Sequence, residues 1–217
     1  MKDRRTDREL RPLGGGDPSA PRTRLEERSE ETRQALIQAA RELFAERGFA
    51  GVGTEEIVRA ARMTRGALYH HFESKEDLFR AVYEDVEREL VERIGTDAMS
   101  APDPLQALRA GARAFLDACE DPAVQRIALL DAPSVLGWEQ WREIGLRYGF
   151  GLVQQTLEAA MEADMLERQP VRPLAHLLLG SIDEAAMLVA RADDGGKTKR
   201  EVAAAVERFL DSLRPSG

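Results

Sequence analysis

The stretch from Thr54 to Lys75, TEEIVRAARMTRGALYHHFESK, constrains the fold more than any other part of the chain. Its apolar spacing predicts one short helix from Thr54 to about Ala61 and a second from Arg65 to about His71, with a turn between them. The apolar stripe of the second helix is too narrow for it to be stable alone, so it must pack on neighbouring helices. The second helix would then present Thr, Arg, Tyr and His side chains to a partner.

Capping signals support both helices. Gly53 or Thr54 can cap the first one, and Glu55 and Glu56 suit the positive end of its helix dipole. Thr64 can cap the second helix in the same way.

Double-stranded DNA is the partner that best fits this second helix. In a helix-turn-helix, the first residues of the second helix lie against base edges in the major groove. Arg65 has the bidentate geometry that matches guanine, Gly66 allows a close backbone approach, and Ala67 suits a thymine methyl group. The other polar side chains would fix the register by contacting phosphates. The predicted DNA-binding residues are Thr54, Arg62, Thr64, Arg65, Gly66, Ala67, Tyr69, His70, His71 and Lys75.

Three segments, ALIQAARELFAERGF, GVGTEEIVRAA and TRGALYHHFESKEDLF, follow one another between Ser29 and about Val86. They resemble the DNA-binding domain of the TetR/AcrR family of transcriptional regulators, and the YHHF-x-SK-x-x-L run is the most specific part. The resemblance implies an all-α fold of about nine helices. A three-helix helix-turn-helix domain would be followed by a helical ligand-binding and dimerisation domain.

Arg62 departs from this family, which usually has a glycine in the turn. That glycine commonly takes a left-handed conformation, which costs a residue with a Cβ about 1 kcal/mol. Either the turn differs here, or Arg62 accepts the strain and gains a phosphate contact, which we favour. A solvated surface arginine is a further alternative.

The chain is expected to have three parts. Residues 1–28 are polar with a Pro/Gly-rich middle, and they are predicted to be a disordered tail. The arginines of this tail could contact DNA, but we favour a tail balanced by its own acidic residues. Residues 29–75 would form the DNA-binding domain, and residues 76–217 the ligand-binding and dimerisation domain, with helix 4 from residue 75 linking the two.

Composition argues against other classes of protein. The chain has 217 residues, of which 43% are hydrophobic and 32% charged, as expected for a soluble helical protein. The single cysteine, Cys119, fits the cytoplasm, and no signal peptide or uninterrupted membrane-spanning run is evident. We found no nucleophile motif, phosphate-binding loop or metal-ligand spacing, so we expect no enzyme, cofactor or metal site. A net charge of −8 disfavours a non-specific architectural DNA binder.

The last two predicted helices, about Pro173 to Arg191 and about Thr198 to Leu213, indicate a homodimer. The first is apolar nearly all round, which requires cover on both sides, and a second copy of the chain can supply it. Two recognition helices about 34–36 Å apart can read a palindromic operator. The predicted dimer contacts are Leu178, Ile182, Ala185, Val189, Val206 and Phe209. Asp183 and Glu184 would pair across this interface, which we favour, or face the ligand cavity.

The family resemblance also implies a small-molecule effector, bound among helices 4 to 7, that tilts helix 4 and releases the DNA. The segment from Asp131 to Arg142 resembles a motif of one subgroup of the family's C-terminal domains. Trp138 and Trp141 could supply apolar walls and Arg142 could meet an anionic group, so a mostly apolar, acidic ligand is one hypothesis. For each residue taken alone, we slightly favour an ordinary core tryptophan or a surface arginine. The predicted cavity residues are Phe115, Trp138, Trp141, Arg142, Tyr148 and Met161. A ligand-released repressor is the expected function, and a ligand-independent or activating regulator is the alternative.

Overall fold

Nine helices and no strand make up residues 24–215, the part of the chain that the computed structural model describes. The helices are α1 (Arg24–Arg47), α2 (Thr54–Ala60), α3 (Arg65–His71), α4 (Lys75–Met99), α5 (Pro104–Ala118), α6, α7 (Trp138–Glu162), α8 (Val171–Ala190) and α9 (Gly195–Ser212). Helix α6 is a π-helix over Val124–Asp131 that continues as one α-helical turn over Ala132–Val135. The predicted all-α architecture is confirmed.

Helix α1 begins at Arg24, earlier than the sequence predicted. Glu26 and Glu27 lie in its first turn, where carboxylates favour the positive end of the helix dipole, while Leu25 is exposed and adds no packing. Local helix-forming preference therefore carries the helix into the segment that was predicted to be a disordered tail. The predictions made for residues 1–23 lie outside the described residues.

The first three helices surround a small apolar core against the start of α4. The fully buried side chains at its centre are Leu36, Phe44, Ile57, Leu68 and Phe79. The rings of Phe44 and Phe79 meet edge to face, with their centroids 5.4 Å apart. Leu68 is the buried residue of α3, which leaves the rest of that helix facing outward.

Helix α4 joins this core to the rest of the molecule. Its side chains Val82, Tyr83 and Val86 are buried in a cluster that also contains residues of α1, α6 and α7. The guanidinium of Arg41 on α1 lies 3.3 Å from the buried Asp85 carboxylate of α4 and 2.7 Å from that of Glu89. Apolar packing and ion pairs therefore both hold α1 against α4.

Helix α8 is long and apolar enough by composition to cross a membrane. In the fold it lies between α7 and α9, and its side chains Leu174, Ala175 and Ala186 are buried there. Core helices pass the same compositional test, and packing inside the protein accounts for the apolar residues on the inner side of α8.

A polar contact joins the end of α1 to α6. The backbone N–H of Phe49 donates to the Asp131 carboxylate at 2.7 Å. Gly48 makes this approach possible, because its φ of 72° is in the left-handed region. An added Cβ would lie 2.9 Å from Arg126 Nε and 3.1 Å from Asp131 Oδ2.

Gly48→Ala should therefore destabilise the protein by about 1–3 kcal/mol, through backbone strain and the clash with α6. The measurement is chemical denaturation followed by circular dichroism. Gly151→Ala is the matched control, since a Cβ there meets nothing within 4 Å and the residue lies inside α7. That control should be neutral or stabilising. Equal losses of stability in both variants would contradict the described junction.

Candidate nucleic-acid interface and effector cavity

The recognition helix α3 is capped as the sequence predicted. The Thr64 hydroxyl accepts a hydrogen bond from the Ala67 backbone N–H at 3.1 Å, and Gly53 is the N-cap of α2. An added Cβ at Gly66 would meet only Thr64 Oγ1, at 3.8 Å. Because nothing inside the protein requires a glycine at position 66, the space it leaves is available to an approaching partner.

Arg65 lies on the exposed face of α3. Its guanidinium is 3.1 Å from the Glu55 carboxylate of α2 and 5.5 Å from the centroid of the Tyr69 ring. Both charged side chains are about two-thirds exposed, at 65% and 69%, so this ion pair adds little stability. The base contact of this exposed arginine stays a prediction.

Arg62 takes the strained conformation that we favoured, with φ of 56°. The neighbouring Met63 N–H bonds to Val58 O at 2.8 Å, which closes the end of α2 in the manner of a Schellman turn. The turn therefore keeps the usual geometry although a residue with a Cβ occupies it. The phosphate contact of the exposed Arg62 stays a prediction.

Lys75 lies in a different position from the one expected of a residue that donates hydrogen bonds to DNA phosphates. Its ammonium donates to the carbonyl oxygens of Phe49 and Val52, both at 2.9 Å, and lies 3.9 Å from the centroid of the Phe49 ring. This charge stabilises the connection between α1 and α2. The sequence could not show it, because the two carbonyl groups come from a loop more than twenty residues earlier.

Among the remaining predicted contacts, Tyr69 and His70 are exposed on α3, and Thr54 is half-buried at the start of α2. His71 is half-buried, and burial, with a smaller contribution from His70, lowers its pKa. Burial therefore disfavours the charged form of His71, and its phosphate contact stays a prediction.

A cavity of about 1040 Å³, including its opening to solvent, lies between α4, α5, α6, α7 and α8. Its walls are mostly aliphatic side chains together with Phe115 and Trp141. The polar side chains that line it are Tyr83, Glu87, Arg142, Thr156 and Asp183. A mainly apolar space with a few converging polar groups is typical of a small-molecule site.

Three of the six predicted cavity residues line this space, namely Phe115, Trp141 and Arg142. Trp141 is fixed by its indole N–H, which donates to Ala128 O of α6 at 2.9 Å. The other three predictions are not supported: Trp138, Tyr148 and Met161 do not line the cavity.

Their positions on α7 explain why. Trp138 is in the first turn, is 62% exposed and packs against Trp141 with ring centroids 4.8 Å apart. Tyr148 is turned by about 100° from the cavity-lining Gly149. Met161 lies further along the helix and is buried in a separate core with α5 and α8.

Arg142 is already paired inside the cavity. Its Nη1 lies 2.6 Å from Asp183 Oδ2, and its Nη2 donates to His176 O at 3.4 Å. Burial raises the pKa of Asp183 to about 6 against the opposing effect of Arg142. Asp183 thus faces the cavity, contrary to the interface position that we favoured. Its neighbour Glu184 is exposed on the opposite side of α8.

Glu87 is a cavity residue that the sequence analysis missed. Burial raises the pKa of its carboxyl group to about 7, with Tyr83 lowering it and Asp183 raising it. The signal was present in the helical spacing, because Tyr83, Glu87, Leu90 and Ile94 fall on one side of α4. A carboxylate on that otherwise apolar side is unusual.

A shallow apolar groove runs along the outer face of α8 and α9. It is lined by Ser181, Glu184, Ala185, Leu188, Val202, Ala205, Val206 and Phe209. Of the predicted dimer contacts, Ala185, Val206 and Phe209 lie here, whereas Leu178, Ile182 and Val189 are buried within the protomer. Since α8 is apolar nearly all round, its sequence did not distinguish the inner side from the outer one.

Comparison with known proteins agrees with this arrangement. Residues 36–82 match the family described as bacterial regulatory proteins, tetR family, and residues 105–213 match the tetracyclin repressor-like C-terminal domain. A TetR-family transcriptional regulator of known structure from Pectobacterium atrosepticum is 34% identical, with 90% of this chain and 99% of that one covered and a TM-score of 0.79.

Two further proteins are similar over nearly the whole length. The Transposon Tn10 TetC protein of Escherichia coli is 27% identical over 189 residues, which are 87% of this chain and 95% of that protein. The structure of RolR in complex with resorcinol shares the fold, at 23% identity and a TM-score of 0.66, with 88% of this chain and 98% of that one covered.

Arg65→Ala should relax base preference at one position of each half-site and cost about 1–3 kcal/mol on the preferred duplex. The measurement is binding to a duplex selected from a random pool and to its single-base variants. Arg62→Ala is the matched comparison, and it should weaken binding to all these duplexes alike and reduce the salt dependence. If the two variants exchange these effects, the assigned roles are wrong.

Lys75→Ala should lower the free energy of unfolding by about 1–3 kcal/mol, because two loop carbonyl groups lose their charged donor. Chemical denaturation measures this loss, and Arg62→Ala provides an exposed cation as control. A Lys75→Ala protein that keeps its full stability but binds DNA more weakly would show that Lys75 contacts phosphate instead.

Proposed function

The chain belongs to the TetR family of bacterial regulatory proteins, and on this premise we propose that it is a homodimeric cytoplasmic repressor that a small-molecule effector releases from a palindromic operator. One feature supports this above all: a single helix, α4, follows the recognition helix directly and also forms a wall of the cavity. We propose no enzymatic activity. We assign residues 29–75 to DNA binding and residues 76–217 to effector binding and dimerisation.

The outer face of α8 and α9 supports the dimer. Leu188, 55% exposed, lies in the apolar groove, and Leu177, 66% exposed, lies further towards the start of α8. Two such faces related by a two-fold axis would bury each other in a four-helix interface. That symmetry would place two copies of α3 on one face of the duplex, as a palindrome requires.

Two connections from the cavity to the DNA-binding helices support ligand control. The first is α4, which carries Tyr83 and Glu87 in the cavity and continues back to the end of α3. The second is α6, where Ala128 and Leu129 line the cavity and Asp131 accepts the hydrogen bond from Phe49 N–H at the end of α1. A ligand that displaces either helix would change the position of α3.

The energy required is modest. To move the protein from 1:99 to 99:1 between its two states, an effector needs a differential affinity of about 5.5 kcal/mol. RolR, a protein of the same fold, was crystallised in complex with resorcinol, which supports a small-molecule role for the corresponding helical domain here. Repression is proposed because it is usual in the family. Activation of transcription is the alternative.

Leu188→Glu should convert the dimer into monomers and weaken binding to the selected palindromic duplex by about tenfold or more, because a charge would enter the apolar interface. Light scattering after size-exclusion chromatography gives the oligomeric state, and fluorescence anisotropy gives DNA affinity.

Met99→Glu is the matched control, since Met99 is 87% exposed at the far end of α4 and lies outside the groove. It should stay dimeric and bind DNA normally. If Leu188→Glu also stays dimeric, the proposed interface is wrong.

A further inference from the structure

The cavity holds a carboxyl group that no cationic side chain balances. Glu87 lines the cavity from α4, and within the described part of the chain it has no ion-pair partner. The hydroxyl of Tyr83, one turn earlier, lies 3.3 Å from Trp141 O and also donates to the Glu87 carboxyl group, but a neutral hydroxyl does not balance the charge of a carboxylate. An unpaired carboxylate in an apolar space is costly unless something else compensates it.

The other charged groups of the cavity do not supply that compensation. Arg142 of α7 is the cation among its lining residues, and its guanidinium pairs with Asp183 of α8 at 2.6 Å. Asp183 also acts on Glu87, where its charge raises the pKa. The side chains that α5 and α6 contribute to the lining carry no titratable group. When both carboxyl groups are ionised, the cavity therefore carries a net negative charge.

We propose that the effector is an apolar amine, whose hydrocarbon part fills the cavity and whose protonated nitrogen pairs with the Glu87 carboxylate. This assignment rests on the proposed function of the cavity as the effector site. It replaces the acidic ligand hypothesised from the sequence, because the Arg142 charge that suggested such a ligand is already neutralised by Asp183.

Other ligand charges fit the cavity less well. A carboxylic acid would add a third negative charge where one guanidinium faces two carboxyl groups, and desolvation would disfavour it further. A neutral alcohol or phenol could donate a hydrogen bond to Glu87, but it would leave the negative charge uncompensated. A cation satisfies the carboxylate through a charge-assisted hydrogen bond, which is shorter and stronger than a neutral one.

The pairing predicts how affinity changes with pH. Glu87 must be ionised to bind the ammonium group, and its pKa in the empty cavity is about 7. Amine affinity should therefore be full above that pKa and fall by about tenfold for each pH unit well below it. An alkylamine keeps its proton throughout this range, so the change reports on the protein. Asp183, whose pKa is about 6, would contribute to the loss of amine affinity only at lower pH.

The test compares three probes of one shape with the full-length protein: phenylbutylamine, phenylbutanol and phenylbutyric acid. Isothermal titration calorimetry measures each affinity at about pH 8 and about pH 6. Wild type should bind the amine about tenfold or more tightly than the alcohol at the higher pH, and the acid most weakly. Glu87→Gln keeps the shape of the side chain and should remove both the preference for the amine and its pH dependence.

Circular dichroism and DNA binding establish that Glu87→Gln is folded. Glu92→Gln, the same change at an exposed position of α4 outside the cavity, should retain the amine preference. Tighter binding of the acid or the alcohol, an amine preference that survives in Glu87→Gln, or no binding of any probe to the folded protein would overturn the assignment. DNA release is measured separately: amine binding that depends on Glu87 but never releases DNA supports the ligand class and contradicts the proposed ligand control.

Discussion

The DNA-binding helices and the cavity share one helix, α4, and the positions of both depend on it. Helix α4 is buried against α1 through Val82 and Val86 and tied to it by the Arg41 ion pairs, while the same helix carries Glu87 into the cavity. Packed helices do not deform continuously, so a shift of α4 cannot be absorbed locally. A change on the cavity side of α4 is therefore expected to move the helices that carry α3, which is the basis of the proposed ligand control.

Polar contacts lie where the DNA-binding helices meet the rest of the molecule and inside the cavity. Lys75 holds the loop between α1 and α2, and Asp131 of α6 accepts the N–H of Phe49 at the end of α1. Inside the cavity, Arg142 and Asp183 neutralise each other, so Glu87 is the charge left for a ligand. The first two contacts fix the position of the DNA-binding helices, and the last determines which ligand charge the cavity favours.

Local sequence patterns and the family resemblance predicted three features whose determinants lie close together in the chain: the Thr64 cap, the left-handed Arg62 and the outward Arg65. The rest depended on contacts distant in sequence. The pairing of Arg142 with Asp183 spans 41 positions, and the two sides of the apolar helix α8 look alike in sequence. For these reasons the sequence showed neither that Arg142 is already paired nor which side of α8 faces outward, and the ligand charge and the dimer contacts stay predictions.

The central claim is that the protein binds palindromic DNA as a dimer. The most direct test is to select bound duplexes from a random pool with the purified protein and to sequence them. We expect enrichment of an inverted repeat whose half-sites are centred about one helical turn apart, or a multiple of it. Enrichment of a single unrepeated site, or of no sequence by a folded and dimeric protein, would contradict it.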